Sequence, residues 1–283
     1  MQKICVNMEY LILILSLAGI VLGADFLVKG AVVVARKCRV SSFVIGAVIV
    51  GIGTSLPELV VSTVGAIGGN SEVAIGNVVG SNIFNVFAIL GLTALFFPIA
   101  VSRENMKFEI PFCIAVSILL MLLVYNFFIV GEPRLGRWNG AALLLVFTSF
   151  MWISLRRGKS SAATVGESVE EENKSLWFAA FSILGGLAAL IVSSNFFVDE
   201  AVAIARKLGV SDAFISITLL ACGTSLPELA ASVTAAVKKD TDMALGNIIG
   251  SNIFNATMIL GTASLITPLT TGKIGLVDYG AMI

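Results

Sequence analysis

The sequence predicts an all-α integral membrane protein built as an inverted-topology repeat of transmembrane helix bundles. Three observations predict it. Of the 283 residues, 57% are apolar and only 13% charged, with a mean hydropathy of +0.99; soluble domains carry about 25% charged residues. Apolar runs close to the ~20 residues that cross a bilayer as a helix recur along the whole chain. Two segments also return unchanged at an offset of 170 residues: Gly53-Thr54-Ser55-Leu56-Pro57-Glu58-Leu59 at 223–229, and Gly80-Ser81-Asn82-Ile83-Phe84-Asn85 at 250–255.

Eight spans are expected, near 9–35, 42–68, 73–98, 108–130, 138–155, 176–204, 212–237 and 243–266. The first apolar run, Tyr10–Leu27, has only Lys3 as a basic flank and Glu9 beside it. It falls opposite residues 180–197 in the repeat, so it reads as a span and not as a cleaved signal peptide. The second and third spans carry the two motifs; the seventh and eighth carry their copies. Between the fifth and sixth, Arg156-Arg157-Gly158-Lys159 gives way to Glu170-Glu171-Glu172, a polar joint too short for a folded domain. The expected organisation is a first membrane repeat over 1–155, a cytoplasmic linker over 156–175 and a second, inverted repeat over 176–283. By analogy with the first half, two further spans should follow the second motif pair. The chain ends at Ile283, so the expectation is eight helices plus the start of a ninth, truncated at the C-terminus.

The repeat extends past its motifs. Residues 27–91 align with 197–261 without a gap, with 30 of 65 positions identical. The two motif helices are five spans apart in order, an odd number, so the second copy enters the membrane from the opposite side. Many secondary transporters are built this way. With the N-terminus outside, inside loops hold eleven basic residues and outside segments six, the asymmetry that the positive-inside rule favours. A multi-pass protein of a prokaryotic inner membrane is expected.

Composition also excludes. There is no histidine, which removes His-based triads and His-ligated metal sites. The four cysteines show no CxxC spacing and suggest no disulfide framework. Zero net charge offers no electrostatic case for nucleic acid. An intramembrane hydrolase would need a base beside Ser55 or Ser225, and the chain has no histidine and no lysine near either.

The motifs carry unusual chemistry for an apolar stretch. Pro57 lacks an N–H and clashes with the carbonyl of Gly53 four residues back, so the helix should kink or break there. Freed backbone groups at membrane depth are tolerated only inside protein or along a polar cavity. Glu58 follows the break, with Thr54 four residues earlier on the same face. The second copy supplies Thr224, Ser225, Pro227 and Glu228 likewise. On the neighbouring helices Ser81 and Asn85 share a face, as do Ser251 and Asn255, while Gly76, Gly80, Gly246 and Gly250 suit close helix contact. A carboxylate at mid-membrane depth costs roughly 2.5–3.5 kcal/mol on insertion scales, and two at matched positions point to a duplicated ion site. Carboxylate, hydroxyl, amide and carbonyl oxygens suit hard cations. Reluctant dehydration of Mg²⁺ leaves Ca²⁺ and Na⁺ favoured. A structural role for the glutamates would need a paired lysine or arginine, and the central regions of the motif helices contain none. The hydroxyls could instead bond backbone carbonyls, as membrane hydroxyls do. Asn77, Asn82, Asn247 and Asn252 read as helix contacts, not ligands.

The twin segments closely resemble the alpha repeats of the sodium/calcium exchanger family, within the wider calcium/cation antiporters, over the chain to about residue 270. The resemblance implies ten helices in two inverted five-helix halves and exchange of Na⁺ for Ca²⁺ by alternating access. It implies Glu58 and Glu228 as central carboxylates shared by both ions, and Thr54 and Thr224 as ligands through hydroxyl or carbonyl oxygen. Ser55, Ser81, Ser225 and Ser251 fall at Na⁺ ligand positions, Gly51 and Ala221 where the family uses a backbone carbonyl, and Asn85 and Asn255 at the middle of the site. Some prokaryotic members place Asp where Asn255 stands; its absence removes a proton or K⁺ partner. The expectation is thus an antiporter and not an enzyme. Ca²⁺ and Na⁺ are its substrates, the bilayer its surroundings, and no cofactor or protein partner is implied. A Ca²⁺/H⁺ antiporter and a cation channel are the alternatives.

Overall fold

The computed structural model describes residues 2–99, 101–125, 133–160, 174–210 and 221–283. Its helices are α1 (Gln2–Cys38), α2 (Ser42–Thr54), α3 (Leu56–Ile67), α4 (Ser71–Leu95), α5 (Asn105–Tyr125), α6 (Arg137–Ser160), α7 (Leu176–Lys207), α8 (Ala221–Gly223), α9 (Leu226–Val237), α10 (Thr241–Ile266) and α11 (Leu276–Met282). Among the described residues six helices are long and apolar enough to cross a membrane, and α2 with α3 forms a seventh, bent span. The expected seventh span in chain order is represented by α8 and α9; its first part, 211–220, lies outside the described residues, as does most of the expected linker. A two-residue antiparallel bridge, β1 (Arg134–Leu135) with β2 (Leu269–Thr270), ties the approach to α6 to the exit from α10.

α1 and α7, mates in the repeat, pack against each other in opposite directions. Gly19 faces Ser193, Gly23 faces Gly186 and Leu190, and Gly30 faces Ala179 and Ile183. Small residues let the two backbones approach where lipid offers no hydrophobic drive to associate. An ion pair between Glu9 and Lys207 joins α1 to α7, while Asp25 pairs with Lys29 on its own helix and with Lys238 just after α9 (2.6 Å each). The opposite face of α1 presents Leu11, Ile14, Leu15, Val21 and Leu22 outward, as a lipid-facing surface does. Trp138 and Trp177, both exposed near helix starts, suit the headgroup level.

α10 is the central element. Met243 to Ile253 belong to one apolar cluster with α1, α2 and α9; Phe254 to Ala263 belong to a second with α4, α5, α6 and α11. Its start is capped by Asp240, whose side chain accepts from the Met243 N–H at 3.0 Å. Burial pushes the Asp240 carboxyl above its ordinary range. In the repeat its counterpart is Asn70, which caps α4 through the Val73 N–H. Replacing Asp240 by alanine is expected to cost about 0.5–2 kcal/mol, read as a lower thermal midpoint with ion affinity retained.

α6 continues one turn beyond the expected 155, to Ser160. The extra turn is held by its basic side chains. The Arg156 guanidinium lies 4.0 Å from the Trp152 ring, and Arg157 sits 4.4 Å from the Phe108 ring and 3.9 Å from Glu109. Charge near a helix C-terminus favours such an extension.

Candidate functional site

The helix breaks where the prolines demand it. α2 and α3 meet at an angle of 47°, with Ser55 between them at φ −84°, ψ 9°. In the second copy Ser225 repeats the geometry at φ −92°, ψ 5°. Each break restarts a helix whose first turn contains the glutamate, Glu58 or Glu228. Helical side chains lean toward the N-terminus, so both carboxylates point back at the break, where the positive end of the helix dipole favours them.

The two breaks meet across the repeat. Ser55 donates its hydroxyl to Glu228 Oε1 at 2.8 Å, and Ser225 donates to Glu58 Oε1 at 3.4 Å. Ser81 on α4 also donates to Glu58 Oε1, at 3.5 Å. Thr224 faces the Glu58 carboxylate and Thr54 that of Glu228, and the two carboxylates are close enough to repel each other. Both are buried, at 0% and 1% exposure. Neither is paired with a lysine or arginine among the described residues. The hydroxyls also reach other acceptors: Thr54 donates to the Gly51 carbonyl and to Asn247 Oδ1 (3.4 Å each), and Ser251 donates to the Gly51 carbonyl at 3.2 Å.

Six asparagine amides organise the neighbouring helices. Asn77 donates to Glu58 O and Ser62 Oγ, and Asn247 repeats this with Glu228 O and Ser232 Oγ. Asn85 donates to Asn252 Oδ1 at 2.9 Å, Asn255 to Asn82 Oδ1 at 3.0 Å, and Asn82 to Asn252 O at 3.1 Å. Asn85 and Asn255 each open a π-helical stretch, Asn85–Leu90 and Asn255–Ile259. Such widened turns occur often at functional sites.

Among the described residues these contacts leave four buried site oxygens without a protein partner: Glu58 Oε2, Glu228 Oε2, Asn85 Oδ1 and Asn255 Oδ1. Each glutamate spends one oxygen on a serine of the other repeat and keeps one. Each asparagine spends its NH₂ on an amide of the other repeat and keeps its oxygen.

Of the residues singled out from sequence, Thr54, Ser55, Glu58, Ser81, Asn85, Ser225, Glu228, Ser251 and Asn255 are all buried, and the bonds above link them across the repeat. Thr224 is half-buried beside them. Gly51 is present through its carbonyl, which accepts from the Ser55 N–H, Thr54 and Ser251. Ala221 opens α8, next to residues outside the described set. Sequence reasoning set aside Asn77, Asn82, Asn247 and Asn252 as helix contacts; the structure joins all four to the glutamates or the central asparagines. Their signal was recurrence at the offset of 170 residues inside apolar helices. Cys222, beside the second break, is free and partly buried.

The family model described as sodium/calcium exchanger protein matches residues 8–156 and 178–283. The chain is 39% identical over 276 residues to the putative antiporter CaxA of Alkalimonas amylolytica, covering 95% of this chain and 83% of that one. It is 35% identical over 303 residues to the sodium/calcium exchanger MaX1 of Methanosarcina acetivorans, covering 96% and 87%. Its fold superposes on the sodium-calcium exchanger NCX_Mj soaked with 10 mM Na⁺ and zero Ca²⁺ with a TM-score of 0.82 at 32% identity, covering 98% and 88%. With matched helices on both sides of the repeat and the twin motifs facing each other at its centre, this chain belongs to the sodium/calcium exchanger family.

Proposed function

We propose that this protein is a secondary antiporter that exchanges Na⁺ for Ca²⁺ by alternating access, with both ions competing for the oxygens between the two breaks. The single observation that carries the reading is the set of four unpartnered oxygens, two carboxylate and two amide, buried where the repeats meet. An uncompensated buried charge costs several kcal/mol, and no basic side chain is paired with either glutamate among the described residues. Compensation must therefore come from outside the protein, as a metal cation or as protons on the carboxylates. An all-oxygen donor set selects a hard metal cation. Two formal charges balance one Ca²⁺ or two Na⁺, so occupancy by one kind disfavours the other. The serine and threonine hydroxyls hold the carboxylates in place and offer further oxygen donors once their protons are turned away.

The test is ⁴⁵Ca uptake into proteoliposomes under an outward Na⁺ gradient, with the membrane potential clamped. Uptake that follows the Na⁺ gradient and collapses with a Na⁺ ionophore is expected. Uptake driven by an outward H⁺ gradient and indifferent to Na⁺ would replace Na⁺ by H⁺ as the counter-ion. Unitary currents in planar bilayers without coupled flux would make the protein a channel.

A further inference from the structure

We propose that Asn82 and Asn252 are positioning residues that determine which end of the Asn255 and Asn85 amides faces the transported cation. The inference rests on the antiporter reading above and adds to it a device that acts across the repeat.

An asparagine amide has two ends of nearly equal size and opposite character: an oxygen that accepts and an NH₂ that only donates. A cation can use the first and is repelled by the second. A buried asparagine that serves a cation must therefore be prevented from turning over. A lone amide in an apolar helix has nothing to prevent it. Here each amide is held by the opposite repeat. Asn252 Oδ1 takes the NH₂ of Asn85 at 2.9 Å, and Asn82 Oδ1 takes the NH₂ of Asn255 at 3.0 Å. One holder is itself oriented: the NH₂ of Asn82 is committed to Asn252 O at 3.1 Å and to Met282 Sδ at 3.4 Å, which turns its oxygen toward Asn255. All four side chains are between 0% and 4% exposed. Of their four amide oxygens, the two with a partner belong to the holders, and the two without belong to Asn85 and Asn255.

Each holder sits three residues before the asparagine of its own helix but grips the asparagine of the other. The correct face of the site therefore exists only while α4 and α10 are in register. Helix–helix glue alone, the common role of membrane amides, would be met by any pairing of donor and acceptor. It would not require that the two leftover groups both be oxygens.

The test is Ca²⁺ titration of the purified full chain by isothermal calorimetry, a readout independent of the counter-ion. Asn82→Leu is expected to weaken Ca²⁺ binding by roughly 10–100-fold, as the loss of a group that orients a metal ligand does. The decisive comparison is the same change in an Asn255→Asp background. A carboxylate presents oxygen at both ends, so its orientation no longer matters and the Asn82→Leu penalty should fall to about twofold or less. If Asn82 only glued helices, the penalty in that background would stay equal or grow, because a bond to a carboxylate is the stronger one. That result would overturn the proposal. Asn85→Asp should not rescue Asn82→Leu, since Asn85 is held by Asn252; equal rescue by either aspartate would also count against it. The mirror set, Asn252→Leu with Asn85→Asp, asks the same question should Asn82→Leu not yield monodisperse protein. A wild type that binds no Ca²⁺ would sink the antiporter reading itself, whereas a wild type that binds it with equal penalties in both backgrounds would sink only the positioning role.

Discussion

Replacing either Glu58 or Glu228 with glutamine is expected to reduce Ca²⁺ exchange to background while leaving the protein folded. Each glutamate carries two separable duties. One oxygen accepts from a serine of the opposite repeat, Ser225 for Glu58 and Ser55 for Glu228, and a glutamine oxygen can accept the same bond, though a weaker one. The other oxygen has no protein partner, and its charge is what a cation would balance. Glutamine keeps the volume and the first bond and deletes half of the negative charge. Removing one partner of a buried charge pair costs about 3–5 kcal/mol, which at about 1.4 kcal/mol per decade is two to three and a half orders of magnitude in affinity. ⁴⁵Ca flux in proteoliposomes should vanish, while the helical circular dichroism of the purified variant stays at the wild-type level. Flux near the wild-type level in either variant would show that the carboxylates do not carry the ions.

Much of this site could be read from the chain. Pro57 and Pro227 announce the breaks because a missing N–H and a ring clash act locally, and the structure bends the first by 47°. Glu58 and Glu228 announce themselves by cost, since no apolar helix tolerates a carboxylate for packing alone. The amides were harder. Asn82 and Asn252 are three residues from Asn85 and Asn255, and sequence spacing makes them look like neighbours on one helix. Their partners are instead the asparagines 173 and 167 residues away, and such a bond has no local signature. The π turns at Asn85 and Asn255 are likewise silent, because no composition distinguishes a widened turn from an ordinary one. The glycines fall between. Gly246 and Gly250 were marked as contact residues by their spacing, but the element they touch, α2, was not. A Cβ on Gly76 would meet Ile274, a contact its spacing did not foretell.

Those glycines carry the second large effect. A methyl group at Gly246 is expected to destabilise the fold strongly, and a branched side chain there to abolish it. A Cβ there would run into the backbone carbonyl of Phe43; one at Gly46 would meet the carbonyl of Met243, and one at Gly250 the backbone of Ala47. In each case the obstacle is main chain, which cannot rotate aside as a side chain can. Overpacking by even a methyl group costs about 1–3 kcal/mol where neighbours can adjust, so Gly246→Ala should lower the thermal midpoint strongly and Gly246→Val should leave no monodisperse protein. The damage should also reach the ions. Pushing α10 away from α2 stretches the Ser251 bond to Gly51 (3.2 Å) and the Thr54 bond to Asn247 (3.4 Å), which join the repeats beside the glutamates. Residual Gly246→Ala protein should therefore bind Ca²⁺ more weakly than its stability loss alone predicts. Two adjacent glycines on α7 supply the control. Gly186 lies against Leu27 N and Gly23 O of α1, at 2.6 and 2.7 Å from an added Cβ, whereas Gly185 is exposed with nothing within 4 Å. Gly186→Ala should destabilise the α1–α7 pair, while Gly185→Ala should be neutral or gain the roughly 0.5–1 kcal/mol that alanine offers over glycine inside a helix. Equal effects at 185 and 186, or an unperturbed Gly246→Val protein, would mean that the helices do not approach as closely as these glycines allow.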